Sequence, residues 1–440
     1  MGPRPPRSGR PRCFRRLSRV EARIRTLGPA RFPSPLSSPV SDGVRVPETI
    51  LRVDGDIEPC TTWEVAGPRE RLFFAPGALR AAVVTCGGLC PGLNNVLRSL
   101  FLHLHHLYGL KELLGVRYGY AGLDPDSQHP PVPLARASVG AIHRLGGTVL
   151  GTSRGPVPLD RMLATLRRLE VGALFCVGGD GTMRGAHALS EGARAAGYPL
   201  AVVGIPKTID NDIQHVTRSF GFRTAVEVAR EVLDAAHNEA TSVRNGVSIV
   251  KLMGREAGFL AAEAALASQD ANFVLVPEVP FALEGPRGFL AALDERLAVG
   301  GHALIVVAEG AGQELVGHAG PAQDASGNRV LGDIGVFLKE RIHAHLKSRG
   351  IPFALRYLDP SYSIRSRPAN CEDSILCDQL ARRAADAALA GKTDLVVASV
   401  HDVFVHLPLE VVTGRKRVLD PEDEPWRSVL ASTGQPRAFV

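Results

Sequence analysis

The sequence predicts an α/β protein made of two doubly wound, Rossmann-like lobes with mostly parallel sheets. Three observations carry that prediction. From residue 80 onward, short apolar runs rich in β-branched residues alternate with longer helical stretches, the pattern of strands buried on both faces and joined by helical crossovers. Glycine-rich or charged clusters follow those runs, where open α/β sheets place their ligands. At 440 residues, with 45% hydrophobic residues and 46 glycines, the chain is too long for one small core and suits two domains plus extensions.

The elements follow in order. Strands are expected at 81–85 ("AAVVT"), 173–177 ("ALFCV"), 200–205 ("LAVVGI"), 247–252 ("VSIVKL"), 272–276 ("NFVLV") and 303–310 ("ALIVVAEG"). Helical text follows most of them, as in "NVLRSLFLHLHHL" at 95–107 and "PRGFLAALDERLAV" after 276, and two further helices are expected at about 332–347 and 375–389. The division that results is a basic leader over 1–45, an N-terminal extension over 46–79, a first lobe over 80–205, a second lobe over 206–350, and a C-terminal segment over 351–440. That last segment is expected to return to the first lobe and end in an exposed tail or partner-contacting stretch from about residue 411 ("GRKRVLDPEDEPWRS").

The net charge of +6 points to no acidic partner. Residues 1–30 hold nine arginines against the single acid Glu21, which accounts for the excess. The leader is Pro-rich as well, a composition that favours disorder. It has the look of a transit peptide, but a dispensable extension or a start codon placed too far upstream is the simpler reading. Without a basic stripe elsewhere, no nucleic-acid partner is expected. No stretch approaches the roughly 20 apolar residues of a spanning helix, so no membrane role is expected either. Seven cysteines show no C-x-x-C pair, which argues against a metal or disulfide framework and for a reduced, cytoplasmic protein.

Three clusters carry chemistry. "TCGGLCPGLNN" (85–95) follows a strand and precedes a helix, so backbone N–H groups and the helix N-terminus can approach a phosphate; read alone it serves equally well as a structural turn. "CVGGDGTMRGA" (176–186) places Asp180 between glycines at a strand end, able to reach a Mg²⁺ shared with a polyphosphate, or else to cap the helix that follows. "PKTIDND" (206–212) offers Asp210 to accept a proton from an attacking hydroxyl, Asp212 to bond neighbouring hydroxyls, and Lys207 to neutralise phosphate; the bland alternative is a polar Asx-turn loop. Charged residues recur at other strand ends: Arg154 in "GGTVLGTSRG", Arg255 at the expected start of a helix in "KLMGREAG", Glu309 in "AEGAG", and Arg356, Tyr362, Arg365 and Arg367 in "RYLDPSYSIRSRP". Arginine forks suit phosphate oxygens.

Together, in this order and over about residues 80–400, these blocks resemble the phosphofructokinase family. "NGVSIVKLMGR", "VPEVPF" and "YLDPSYSIR" look most like the ATP-dependent enzymes of plants and trypanosomes, a branch close to pyrophosphate-dependent members. The resemblance implies Mg²⁺-assisted transfer of a phosphoryl group to the 1-hydroxyl of fructose 6-phosphate, by a homodimer or homotetramer. It implies that Asp210 is the proton acceptor, flanked by Thr208, Ile209 and Asp212. Gly87, Arg154, Gly179, Asp180, Gly181 and Thr182 would hold the donor, with Asp180 on the metal. Met253, Gly254, Arg255 and Glu309 would hold the sugar, Arg255 also steadying the transferring group. Tyr362 and Arg365 would bind sugar and 6-phosphate, with Arg356 a weaker candidate.

Donor choice rests on two residues. Pyrophosphate users of the family usually carry an acidic residue where this chain has Gly181, and a carboxylate there would crowd and repel the α-phosphate of a nucleotide. Lys207 is typical of pyrophosphate users, but plant-like ATP users combine it with the same glycine. ATP is therefore the expected donor, and pyrophosphate the alternative. Bacterial allosteric members place a 6-phosphate-binding arginine seven residues before the Met of MGR; here that position is Gly246, beside Arg244 and Asn245, so 6-phosphate recognition is expected to be rearranged. A non-catalytic regulatory homologue is the other class of function, and the presence of Asp180, Asp210 and Arg255 argues against it.

Overall fold

A computed structural model describes residues 22–48, 61–153, 155, 157–317 and 330–440. The first lobe is built on β1 (Arg45–Pro47), β2 (Thr62–Val65), β3 (Arg80–Thr85), α1 (Leu93–Tyr108), β4 (Glu112–Val116), β5 (Val132–Pro133), α2 (Leu159–Arg168), β6 (Ala173–Gly178), α3 (Asp180–Ala195) and β7 (Ala201–Pro206). The second comprises α4 (Phe222–Thr241), β8 (Gly246–Leu252), α5 (Phe259–Ser268), β9 (Phe273–Leu275), α6 (Phe289–Gly300), β10 (His302–Ala308), α7 (Ile334–Ser348) and β11 (Ala354–Leu358). The chain then adds α8 (Cys371–Leu389), β12 (Leu395–Val400), β13 (Val403–Pro408) and α9 (Glu424–Thr433).

Both sheets take the strand order of a doubly wound fold. The nine-stranded sheet runs β1-β2-β13-β12-β7-β6-β3-β4-β5, parallel from β12 to β4 with antiparallel strands at both edges. The second sheet, β9-β10-β8-β11, is parallel throughout. In β3, Ala81 and Val83 face a core shared with α1 and α8, whereas Ala82 and Val84 face one shared with α2 and α3. Both faces are covered, so these strands read as continuous apolar runs.

The helices start where the sequence lets them. Asn370 caps α8 by accepting from Asp373 N at 3.0 Å, and Asp333 caps α7 by accepting from Gly335 N at 3.0 Å and Val336 N at 3.1 Å, each replacing a bond that the first turn lacks. Asp386 of α8 accepts from Tyr108 Oη at 2.8 Å and stands 2.8 Å from His103 Nε2. Buried carboxylate contacts of this kind tie α8 to α1, and β12 and β13 follow α8 into the first sheet.

Three expectations are corrected. Residues 22–45, taken as part of a disordered leader, are docked: Arg25–Thr26 pairs with Lys392–Thr393, Arg25 forms ion pairs with Glu191 and Asp394, and Arg45 donates to Ala22 O at 2.8 Å. Their partners lie far along the chain, out of reach of a compositional reading; residues 1–21 fall outside the described residues. The stretch from 411 onward is not an exposed tail, because Trp426, Val429 and Phe439 are buried in the cores of the second lobe. Arg255 precedes its helix by four residues, in the loop leading to Phe259.

Candidate active site

The clusters converge because parallel strands end on the same side of their sheet. β7 hands the chain directly to the "PKTIDND" loop, and Lys207 N still bonds Gly178 O at the end of β6, at 2.9 Å. Ile209 packs against the core of the first lobe and a core of the second, so the loop runs where the two lobes meet.

Within this loop each polar residue has a distinct task. Asn211 is buried in the left-handed conformation, with φ 54°, and its side-chain oxygen accepts from Ser219 N at 3.0 Å while its amide donates to Thr217 O at 3.2 Å. It performs the turn-forming work that Asn and Asp commonly do. Thr208 Oγ1 donates to Asp212 Oδ1 at 2.8 Å and accepts from Asp210 N at 3.1 Å. Asp210 Oδ1 is buried and has no hydrogen-bond partner among the described residues. Burial, then the charges of Asp212 and Glu309, push the Asp210 carboxyl up to about 8, and Lys416 and Lys207 pull against that rise. A buried acid with a raised proton affinity and an empty oxygen is suited to accept a proton.

Lys207 is buried and donates from Nζ to Gly88 O at 2.8 Å. It thereby anchors the first glycine-rich loop, where Gly87 O also accepts from Thr152 Oγ1 at 2.6 Å. Thr152 and Ser153 lead to Arg154, which lies outside the described residues. In the "GGDGT" cluster, Gly179 is the N-cap of α3 and offers no side-chain cap. Asp180 does not cap the helix: it forms an ion pair with Arg184 one turn on. Thr182 is buried, its carbonyl accepting from Tyr120 Oη at 2.8 Å. Among the described residues, a Cβ added at Gly181 would meet nothing nearer than Arg184 Nη2, at 3.9 Å. The fold itself does not demand glycine there, so the space before it is available to a ligand.

Strands β8 and β10 are neighbours, which brings the remaining residues together. Glu309 N bonds Leu252 O at 2.8 Å and Gly310 N bonds Gly254 O at 3.0 Å, lacing the "MGR" and "AEG" loops side by side. Met253 is buried beneath them. Burial raises the Glu309 carboxyl, opposed by Arg255, Lys251 and Arg365 and reinforced by Asp359, which places Arg255 and Arg365 within Coulomb reach of Glu309. On the short helix Ser361–Arg365, the Arg365 guanidinium stacks 4.5 Å from the centre of the exposed Tyr362 ring. Arg356 and Arg367 are not brought in by any such contact: Arg356 is directed to Glu239 at 3.9 Å, and Arg367 to Glu231 at 3.5 Å. At Gly246 a Cβ would come within 2.1 Å of Ala240 O, so no side chain fits at the place where bacterial members carry their arginine.

Sequence reasoning missed several charged residues. Lys416 approaches Asp212 Oδ2 at 3.5 Å and Glu256 Oε1 at 3.1 Å. Lys251 joins Asp333 at 2.9 Å and Asp359 at 3.0 Å. Arg184 was likewise passed over. Lys416 lay hidden in a basic run that looks like any solvated surface segment.

The Phosphofructokinase family model matches residues 80–388, well over half of the chain. The chain belongs to the phosphofructokinase family. Among its relatives within that family, a protein of Borreliella burgdorferi named ATP-dependent 6-phosphofructokinase is 45% identical over 379 residues, covering 85% of each chain. One of the same name from Amycolatopsis methanolica is 44% identical over 440 residues, covering 95% of this chain and 96% of its own. A third, from Trypanosoma cruzi, is 47% identical over 373 residues, covering 84% of this chain and 76% of its own. The solved pyrophosphate-dependent phosphofructokinase of Marinobacter aquaeolei superposes with a TM-score of 0.67 at 21% identity, over 82% of this chain and 93% of its own. At that identity the likeness speaks for the phosphofructokinase fold alone.

Proposed function

We propose that this protein is an ATP-dependent 6-phosphofructokinase, which transfers the γ-phosphoryl group of ATP to the 1-hydroxyl of fructose 6-phosphate and yields fructose 1,6-bisphosphate and ADP. The observation that carries the reading is Asp210: its Oδ1 is buried at the junction of the lobes with no partner among the described residues, while its neighbours Thr208, Asn211 and Asp212 are all engaged. The relatives at 44–47% identity carry the same activity in their names.

In this reading Asp210 accepts the 1-hydroxyl proton as the new O–P bond forms and the bond to the β-phosphate breaks. Thr208 and Asp212 hold the loop that presents it. Arg255, Glu309, Met253 and Gly254 surround the sugar, and Tyr362 with Arg365 receives its hydroxyls and 6-phosphate. Gly87, Gly179, Asp180, Gly181 and Thr182 line the donor's side, and Arg154 belongs to the same group by resemblance. Asp180 fits Mg²⁺: it is a hard oxygen donor, partly exposed at a strand end, beside the open space at Gly181. Bound there, the ion would neutralise polyphosphate charge.

Gly181 supports ATP as donor, since no described residue crowds the position where an acidic side chain would repel a nucleotide. Lys207, buried against the glycine-rich loop, is what favours a pyrophosphate-dependent reading. Cys86, Cys90, Cys176 and Cys377 are free and buried, which suits a reducing cytoplasm. No helix among the described residues is long and apolar enough to cross a membrane. By family resemblance the active form is a homodimer or homotetramer. The deciding experiment is phosphorylation of fructose 6-phosphate with each donor: turnover with ATP and none with pyrophosphate is expected, and the reverse would overturn the choice.

A further inference from the structure

The "PKTIDND" loop is closed from outside by a segment some 200 residues later in the chain. Ile213 and Lys416 form an antiparallel bridge, and Arg417 N donates to Asp212 O at 2.9 Å. The Arg417 side chain lies 4.5 Å from the ring centre of Phe259, with Nη1 donating to Thr217 O at 3.3 Å. Two residues further on, Leu419 N donates to Glu278 Oε1 at 2.8 Å, the same carboxylate that accepts from Gly258 N at 2.9 Å. The segment therefore ties the loop after β7 to the loop that opens α5.

Lys416 occupies the centre of this junction. Its Nζ pairs with Asp212 Oδ2 at 3.5 Å and Glu256 Oε1 at 3.1 Å. Its charge also acts on Asp210 and Asp180. Burial opposes its ionisation, but Asp212, Glu256 and Asp180 overcome that and keep it an ammonium. Two carboxylates, one from the "PKTIDND" loop and one from the loop before α5, thus share one lysine from the C-terminal segment.

We propose that residues 414–419 are part of the catalytic centre and that Lys416 is a positioning residue, holding Asp212 and thereby the loop that presents Asp210. This rests on the reading of Asp210 as the proton acceptor. An ammonium shared among carboxylates offsets their mutual repulsion, and the backbone pairing at Ile213 fixes the direction from which it acts. Among the described residues, the charges that act most strongly on Asp210 are those of Asp212 on its own loop, Glu309 after β10, Lys416, and Lys207 at the end of β7. Lys416 is therefore the cation that the C-terminal segment contributes to this set.

The test compares Lys416→Met and Lys416→Arg in the full-length enzyme, with Asp210→Asn as reference. For Lys416→Met the expected result is a fall in kcat of about ten- to a hundredfold, with KM for both substrates within about twofold. The acidic limb of the kcat/KM profile should move to higher pH, because a cation near the base has been lost. Lys416→Arg should restore most of the rate. A Lys416→Met enzyme with wild-type kcat, or one whose loss is matched by a lowered Tm without any movement of the acidic limb, would overturn the proposal. The two readings fail separately. An Asp210→Asn enzyme with near-normal turnover removes the base assignment, whereas an inactive Asp210→Asn beside an unaffected Lys416→Met removes only the role of Lys416.

Discussion

Thr208 Oγ1 donates to Asp212 Oδ1 at 2.8 Å and accepts from Asp210 N at 3.1 Å, so one hydroxyl restrains the second carboxylate and the backbone of the first. The carboxylates two residues apart are thereby unequal. Asp212 is held by Thr208 and Lys416, whereas Asp210 keeps a buried oxygen with no partner among the described residues.

That inequality predicts the outcome of amide substitution. Asp210→Asn should lower kcat by about 10²–10⁴-fold, the range that positioned acid–base groups contribute. KM for fructose 6-phosphate and the Tm should change little, because Oδ1 bonds no group among the described residues. Steady-state kinetics and a thermal melt check both halves.

The pH profile should follow from the same geometry. Burial and the charges of Asp212 and Glu309 raise the Asp210 carboxyl to about 8. A base must be ionised to act, so kcat/KM should rise with pH and level off above that region. Asp212→Asn removes a negative neighbour and should shift the acidic limb to lower pH; Lys207→Met removes a positive one and should shift it upward.

Gly181→Asp should separate folding from donor use. A side chain has room at this position, with Arg184 Nη2 the nearest atom at 3.9 Å from an added Cβ. Stability should therefore stay within about 0.5 kcal/mol of the parent. Activity with ATP should fall by about 10²-fold or more, since a like charge placed against phosphate costs several kcal/mol. A variant that still used ATP at the parental rate would remove Gly181 from the donor argument.

A fourth prediction concerns a buried charge cluster in the first lobe. Glu64 Oε1 accepts from Arg69 Nη2 at 2.7 Å and Lys392 Nζ at 2.8 Å, and lies 2.8 Å from His406 Nδ1. Burial works against its ionisation, but His406 and Lys392 overcome this and hold its carboxyl at about 2, below the ordinary 4.5. A depressed carboxyl stabilises the fold fully above 4.5, and that contribution is lost as pH falls through about 2. Glu64→Gln should destabilise the fold at neutral pH, but by less than the ~3–5 kcal/mol of a buried charge left wholly unpaired, because Asp42 still pairs with Arg69 at 2.6 Å and with Lys392 at 2.9 Å. Chemical denaturation at pH 7 and pH 3 should show a smaller difference between parent and variant at the lower pH.

Much of this architecture is legible in the sequence, for a physical reason. Strands such as β3, β6 and β7 are covered on both faces, so their apolar runs stand out without reference to any partner. The loops that follow them carry the chemistry because parallel strands end together. What a linear reading could not supply were the pairings across sequence distance. "LVVASV" at 395–400 is as apolar as any other strand, yet nothing local says that it inserts beside β7. Lys416 looks like one more base in "GRKR", and only the Ile213 bridge brings it to the carboxylates. Asp180 could be placed at its strand end but not joined to Arg184, and Lys207 could be assigned a charge but not its bond to Gly88 O.

The strand order of the nine-stranded sheet has a consequence for how the protein is made. β12 must lie between β7 and β13, and β13 must pair with β2. A nascent chain that has emerged only through Pro206 thus holds β7 with one edge still uncovered, a surface prone to unwanted pairing. That edge stays open until about two hundred further residues, including all four strands of the second sheet, have been translated. Closing the sheet is then a late, non-local event of the kind that slows folding. Chains interrupted between Leu358 and Leu395 should accordingly depend on chaperones more than those that have passed Pro408.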